Sequence, residues 1–257
     1  VGFNLSDYQS EVTKFDNESK ELGNWYVGQK QGEIWGYETY GLFQSEQEIA
    51  GAANQDKVSG GIKLMPGDIR FVDRNNDGVI DWGDNTVDNP GDKKIIGNST
   101  PRYHYGINLG ADWKGFDLGI FFQGVGKRDL YLPGTSFRSH YGSEWQVPSA
   151  YNNDYWTEEN TGAYFPRARF NGGSAINQAQ TRYMVDASYC RLKSLSIGYT
   201  LPKVLTQKAS IEKIRIYFTG ENLFTISDTP DGLDPELDNP YTYPMQRSLS
   251  VGLSLTF

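Results

Sequence analysis

The sequence is poor in most of the residues that do chemistry. Among 257 residues there are two histidines, one cysteine and three methionines. The lone Cys190 cannot close an internal disulfide, and it reads as a small wall or buried residue. There is no HExxH, no GxSxG and no phosphate-binding Gly-Lys-Ser/Thr string. Nothing singles out one carboxylate pair for glycoside hydrolysis. No catalytic residue is assigned, and the chain does not read as an enzyme. Basic residues are outnumbered, 24 to 32, for a net charge of −8, which argues against nucleic acid as a partner. No run of roughly 18 apolar residues occurs, so no membrane helix is expected. The residues from Val1 onward do not read as a signal peptide.

What is present is a two-residue period. In Leu249–Phe257 the residues Leu249, Val251, Leu253, Leu255 and Phe257 alternate with Ser250, Gly252, Ser254 and Thr256. Successive side chains of a strand point to opposite faces, so one face is apolar and the other small and polar. The same pattern recurs in 1–6, 103–113, 116–123 (where Phe121 breaks the polarity of the other face), 194–201 and 214–219. That makes six strands, most near the ~9–11 residues that cross a bilayer at a tilt. Links alternate in length. Lys114-Gly115 is a tight turn, and 202–212 is short, with one helical turn expected over Lys203–Ala209. The stretches 7–100, 124–187 and 224–248 are long. Short turns on one side and long loops on the other fit an outer-membrane barrel, and 14% aromatic residues suit its girdles.

A soluble β-sandwich also alternates. It would place Lys and Glu on the polar faces, where this chain has Gly, Ser, Thr and Asn. It would also avoid links of about 60 and 90 residues. The expected fold is therefore all-β: part of a large antiparallel transmembrane barrel with long extracellular loops. Six strands cannot close such a barrel, whose smallest type has about eight. The strand under way at Val1 adds to the reading of a part of something longer.

The sharpest local string is Asp73-Arg-Asn-Asn-Asp-Gly-Val-Ile-Asp-Trp-Gly-Asp84. Its spacing is that of a calcium loop. Asp73, Asn75 and Asp77 would give side-chain oxygens and Val79 its carbonyl. Asp81 would bind through water, and Asp84 stands where a longer Glu is usual. Clustered carboxylates repel unless a hard cation neutralises them, so a structural Ca2+ is expected in the loop at about 67–100. An Asn-Asp-Gly turn in an acidic loop is the plainer account of the same string.

The long links are rich in rings, among them Trp25, Trp35, Tyr40, Trp145, Tyr155, Trp156, Tyr164 and Phe165. Flat rings beside polar groups stack on sugars, pack loops or line interfaces. Trp145, Tyr155 and Trp156 are the candidate substrate contacts. His104 falls on the polar face, where a solvated histidine is the simpler reading.

Several strings resemble the SusC/RagA family of TonB-dependent outer-membrane transporters. They are Gly32-Glu-Ile-Trp-Gly-Tyr-Glu-Thr-Tyr-Gly-Leu-Phe-Gln-Ser-Glu-Gln-Glu-Ile49, Gly67-Asp-Ile-Arg-Phe-Val-Asp73 and Ile96-Gly-Asn-Ser-Thr-Pro101. Further matches are Tyr155–Asn160 with Phe165-Pro-Arg167, Arg191–Pro202, Gly220-Glu-Asn-Leu-Phe224, Gly232–Glu236 and Tyr243-Pro244. The resemblance implies that 1–257 is the C-terminal portion of a barrel of about 22 strands, without the plug domain. It implies a bacterial outer-membrane importer that takes up oligosaccharides, or peptides, under a SusD-like surface lipoprotein. TonB would drive it through the missing part. The alternative is a secreted calcium-dependent carbohydrate-binding or adhesion β-domain, which would be soluble and pack its strands face to face.

Overall fold

The computed structural model describes residues 1–131, 154–169, 174–206, 210–230, 233–237, 242–243 and 245–257. In chain order the strands are β1 (Gly2–Ser6), β2 (Glu33–Tyr37), β3 (Thr39–Leu42), β4 (Ile69–Phe71), β5 (Lys93–Asn98), β6 (Arg102–Trp113) and β7 (Phe116–Lys127). They continue with β8 (Asp129–Tyr131), β9 (Met184–Asp186), β10 (Tyr189–Thr200), β11 (Lys213–Glu221), β12 (Thr225–Ser227) and β13 (Ser248–Thr256). Short α-helices α1 (Glu46–Ala50), α2 (Asp56–Ser59) and α3 (Lys203–Thr206) lie between them. The chain divides into two compact units. One holds 1–9, 101–129 and 186–257; the other holds 10–100 and 130–185.

The first unit is one antiparallel sheet in the order β1-β6-β7-β10-β11-β13, with β12 added to the end of β10. All six expected strands are there, each beside its neighbour in that series. β6 and β7 meet through Lys114-Gly115, both with positive φ (47° and 91°). That is the two-residue geometry whose twist matches the flanking strands.

The register carries the two faces across the sheet. One row runs Ala111, Leu118, Ile197, Phe218 and Val251 from β6 to β13. The adjacent row on the other face runs Gly110, Gly119, Ser196, Thr219 and Ser250. Phe3 and Leu5 of β1 lie opposite Ile107 and Tyr105 and extend the apolar face. That face is uncovered: Val251 is 79% exposed and Leu253 60%. A sandwich would have buried them. On the polar face Arg215 of β11 reaches across β10 to Asp117 of β7, with Nε–Oδ1 at 2.9 Å and Nη2–Oδ2 at 2.5 Å. The guanidinium and carboxylate lie over Gly198, where any Cβ would strike both.

The second unit is built from two of the three long links, and their described residues form short strands, helical turns and a core. Pairs β2–β5 and β3–β4 frame it. Its core gathers Tyr37, Leu42, Val58, Ile69, Phe71, Ile80, Trp156, Phe165, Ile176 and Tyr183. Ser45 caps α1 by accepting from the Glu48 amide at 3.2 Å, while the Glu48 carboxylate accepts from the Gln44 amide at 2.8 Å. The Ser45 bond is the N-cap half of a capping box, while Glu48 reaches one residue further back, to the amide before the cap.

Candidate functional site

Two candidate sites came from the sequence, the acidic loop and the rings; the fold adds a third feature at the end of β10. In the acidic loop, Asp73 accepts from the Asn76 and Gly78 amides at 2.7 and 2.8 Å. Asn75 Oδ1 accepts from the Asp77 amide at 3.0 Å, and Asp77 Oδ1 from the Val79 amide at 2.8 Å. Asn76 and Gly78 take positive φ, 59° and 84°. These bonds curl 73–79 into nested side-chain turns. The first four expected ligands therefore share one turn.

The last two are drawn away. Lys57 Nζ lies 2.6 Å from Asp81 Oδ2, and the Gly83 amide donates to Asp81 Oδ1 at 2.8 Å. Those bonds, the Lys57 one foremost, hold the Asp81 carboxyl below the ordinary carboxylate range. Asp84 Oδ2 accepts from Asn89 Nδ2 at 2.8 Å. Among the described residues no three acidic, histidine or cysteine side chains converge where a metal could sit. Of the expected ligands, only Asp73, Asn75, Asp77 and Val79 stay together in the turn, where Asn75 Nδ2 also donates to Asp77 Oδ2 at 2.8 Å.

The three ring candidates part company. Trp145 lies outside the described residues. Tyr155 is half exposed, in a bridge with Phe165. Trp156 is 5% exposed and belongs to the core. Its Nε1 donates to Gln44 Oε1 at 3.2 Å. Arg167 lies 5.3 Å from its ring centre. A Cβ on Gly67 would come within 2.5 Å of Trp156 Cε3. Its ring is occupied by the protein and offers no platform to a ligand. His104 stacks on Tyr8, centroids 6.2 Å apart and 6° from parallel, and is no isolated polar group.

The sequence reading missed an ionic cluster on the polar face at the end of β10. Arg191 Nη2 meets Asp234 Oδ1 at 2.6 Å, Arg191 Nη1 lies 3.2 Å from Glu236, and Lys193 Nζ lies 2.8 Å from Glu236. Arg191 Nε also donates to Thr225 Oγ1 at 2.8 Å. The Arg191 and Asp234 side chains are only 4% and 5% exposed. Asp234 further accepts from the Glu236 and Met245 amides at 3.0 and 3.1 Å. Burial, the largest influence, pushes the Asp234 carboxyl up. The Arg191 bond and the two amides together outweigh it and leave the group below the ordinary range. The cluster ties the segment between β12 and β13 to the sheet. Its signal was in the sequence, as bases at 191 and 193 facing acids at 234 and 236, but only the pairing of β10 with β12 brings them together.

No protein-family model matches the chain. The chain is 32% identical over 248 residues to TonB-dependent receptor P3 of Formosa agariphila, covering 90% of this chain and 22% of that receptor. It is 29% identical over 194 residues to TonB-dependent receptor SusC of Bacteroides thetaiotaomicron, covering 73% of this chain and 17% of SusC. Among solved structures, the RagAB peptide transporter superposes with a TM-score of 0.69 at 22% identity, over 99% of this chain and 27% of that one. The chain thus spans between about a sixth and a quarter of the length of these relatives. They are receptors and transporters, not enzymes. By sequence and by fold, this chain is of the SusC/RagA type of TonB-dependent transporter.

Proposed function

We propose that the chain is a stretch of barrel wall, with its extracellular loops, in a bacterial outer-membrane importer. The observation that carries this is the continuous apolar face, uncovered on all six strands and backed by Gly, Ser and Thr. Such a sheet is stable with lipid on one side and a wet lumen on the other. Spin labels at Leu253 and Ser254 should therefore differ. The first should collide with oxygen dissolved in the bilayer, the second with a water-soluble nickel chelate. Equal accessibility of the two would refute the wall.

The remaining parts of the reading rest on the relatives. The importer works with a SusD-like lipoprotein over the long-link side and takes its energy from TonB, through parts of the protein outside this chain. Its cargo is an oligosaccharide first, a peptide second. Exposed rings in the second unit (Trp25, Tyr40, Trp82, Tyr155) suit sugar stacking. The RagAB name favours a peptide. Alanine at Tyr40, Trp82 and Tyr155 together should weaken uptake while the barrel stays inserted. Unchanged uptake would take the cargo contact away from these rings. Deleting 154–165 is not an equivalent test, because Trp156 and Phe165 are core residues.

Calcium belongs to the same proposal. A Ca2+ seated on Asp73, Asn75, Asp77 and the Val79 carbonyl gains Asp81 only when Lys57 lets go, so binding should be weak. Asp77→Ala should abolish it, and Lys57→Ala should tighten it several-fold in calorimetric titration. Loss of affinity in Lys57→Ala would overturn this account of the site.

A further inference from the structure

The end of the sheet that carries the short links has a feature the wall alone does not explain. In α3, Val204 is 74% exposed and Leu205 59%, on a turn closed by the Leu205 amide donating to the Pro202 carbonyl at 3.0 Å. Two large apolar side chains are thus exposed on one short turn. The turn is joined to its neighbour link, since the Thr200 amide donates to the Gly115 carbonyl at 2.7 Å. Beside it lie the apolar-face rings of that end. Trp113 is 67% exposed, and Phe116 packs on Tyr199 with centroids 4.5 Å apart. Lys114 Nζ lies 5.0 Å from the Trp113 ring centre. Neither Lys114 nor Lys203 has an acidic partner among the described residues.

We propose that this turn is a membrane foot. Val204 and Leu205 sit in the boundary between headgroups and acyl chains of the leaflet on the short-link side. Lys114 and Lys203 meet lipid phosphates there. The proposal rests on the wall reading above. Three features on the sheet favour lipid over a protein partner. The exposed pair is apolar and follows the end of β10 within five residues. Amphipathic rings mark the interfacial level beside it, as in barrel girdles. The unpaired cations match an anionic headgroup layer. A short turn with an apolar tip and a basic flank lies in an interface in the manner of interfacial helices.

The test uses the full transporter on a cysteine-free background, reconstituted in bilayers of phosphatidylethanolamine and phosphatidylglycerol. Spin labels are placed at Leu205, Leu253 and Ser254. A label at Leu205 that collides with oxygen in preference to the nickel chelate, at a shallower depth than Leu253, is the expected result. Nickel-dominated collisions at Leu205 would put it in water and overturn the foot. Low collision rates with both reagents would mean that protein covers it, and would overturn it equally. In either case oxygen-dominated collisions at Leu253 would leave the wall standing, whereas their loss would bring down the wall itself. Raising the phosphatidylglycerol fraction should deepen the Leu205 label, and Lys114→Gln with Lys203→Gln should remove that dependence. A response unaltered by the two glutamines would overturn the phosphate contacts.

Discussion

Replacing Asp234 by alanine should free the segment between β12 and β13 from the sheet, at a local cost of about 3–5 kcal/mol. The reason is asymmetry. Arg191 and Lys193 would stay where they are, with Arg191 buried and one partner short. A buried guanidinium without its carboxylate loses far more than the pair contributes. Hydrogen exchange reads this directly. Amides of 233, 234, 236, 237 and 245–247 should lose protection, while β11 and β13 keep theirs. Asp234→Asn keeps one of the two oxygens, enough for either the Glu236 or the Met245 amide but not both, and should lose less than alanine. Unchanged protection in both variants would show that the cluster carries no weight.

The same carboxyl sets a pH dependence. Its pKa in the folded protein is depressed, below an unfolded value of about 3.9. Its contribution is therefore fully present above the unfolded value and is lost as pH falls through the lower folded one. The latch should hold through mild acidity and open only in stronger acid.

Trp156→Ala is expected to cost the second unit about 3–5 kcal/mol, the range for emptying a large buried aromatic site. Gln44 would lose its indole donor and Arg167 its ring. Trp156→Phe fills most of the space and lacks the Gln44 bond, a further loss of about 1 kcal/mol. Limited proteolysis of the inserted protein should therefore rank wild type above Phe above Ala. A ligand contact would behave otherwise, with binding lost in a unit as resistant to protease as before. That outcome would return Trp156 to the ligand site.

The strands of the wall were legible because each carries its environment in its own alternation. Leu249–Leu255 needs no knowledge of its neighbours. Where alternation fails, the reading stopped short. β10 begins at Tyr189, yet the period supports it only from 194. A bulge between Leu192 and Ser194 shifts the register, so that Arg191 and Ser194 share a face. Two residues opposite one break a parity argument. β12 has three residues and no period at all.

The second unit was hidden for another reason. Its strands hold three to six residues, and its contacts join distant segments, as in the Tyr37 amide donating to the Ala179 carbonyl at 2.8 Å. Nothing local to Trp156 tells that Gly67, Gln44 and Arg167 close around it. In the acidic loop the spacing told where Asp73, Asn75 and Asp77 lie. It did not tell that Lys57, sixteen residues before the loop, holds Asp81.

The bare backbone at Gly198 has a meaning for assembly. A strand that slides by one residue exposes its error at once, because every side chain lands on the wrong face. A slide by two keeps both faces and is the harder mistake to reject. In β10 a two-residue slide would bring Ser196 or Thr200 beneath the Asp117–Arg215 pair, and either Cβ would wedge the ions apart. Only one alignment of three strands lets the carboxylate and the guanidinium close. The bridge thus acts as a checkpoint on alignment, answering a question that the greasy side of the sheet cannot ask.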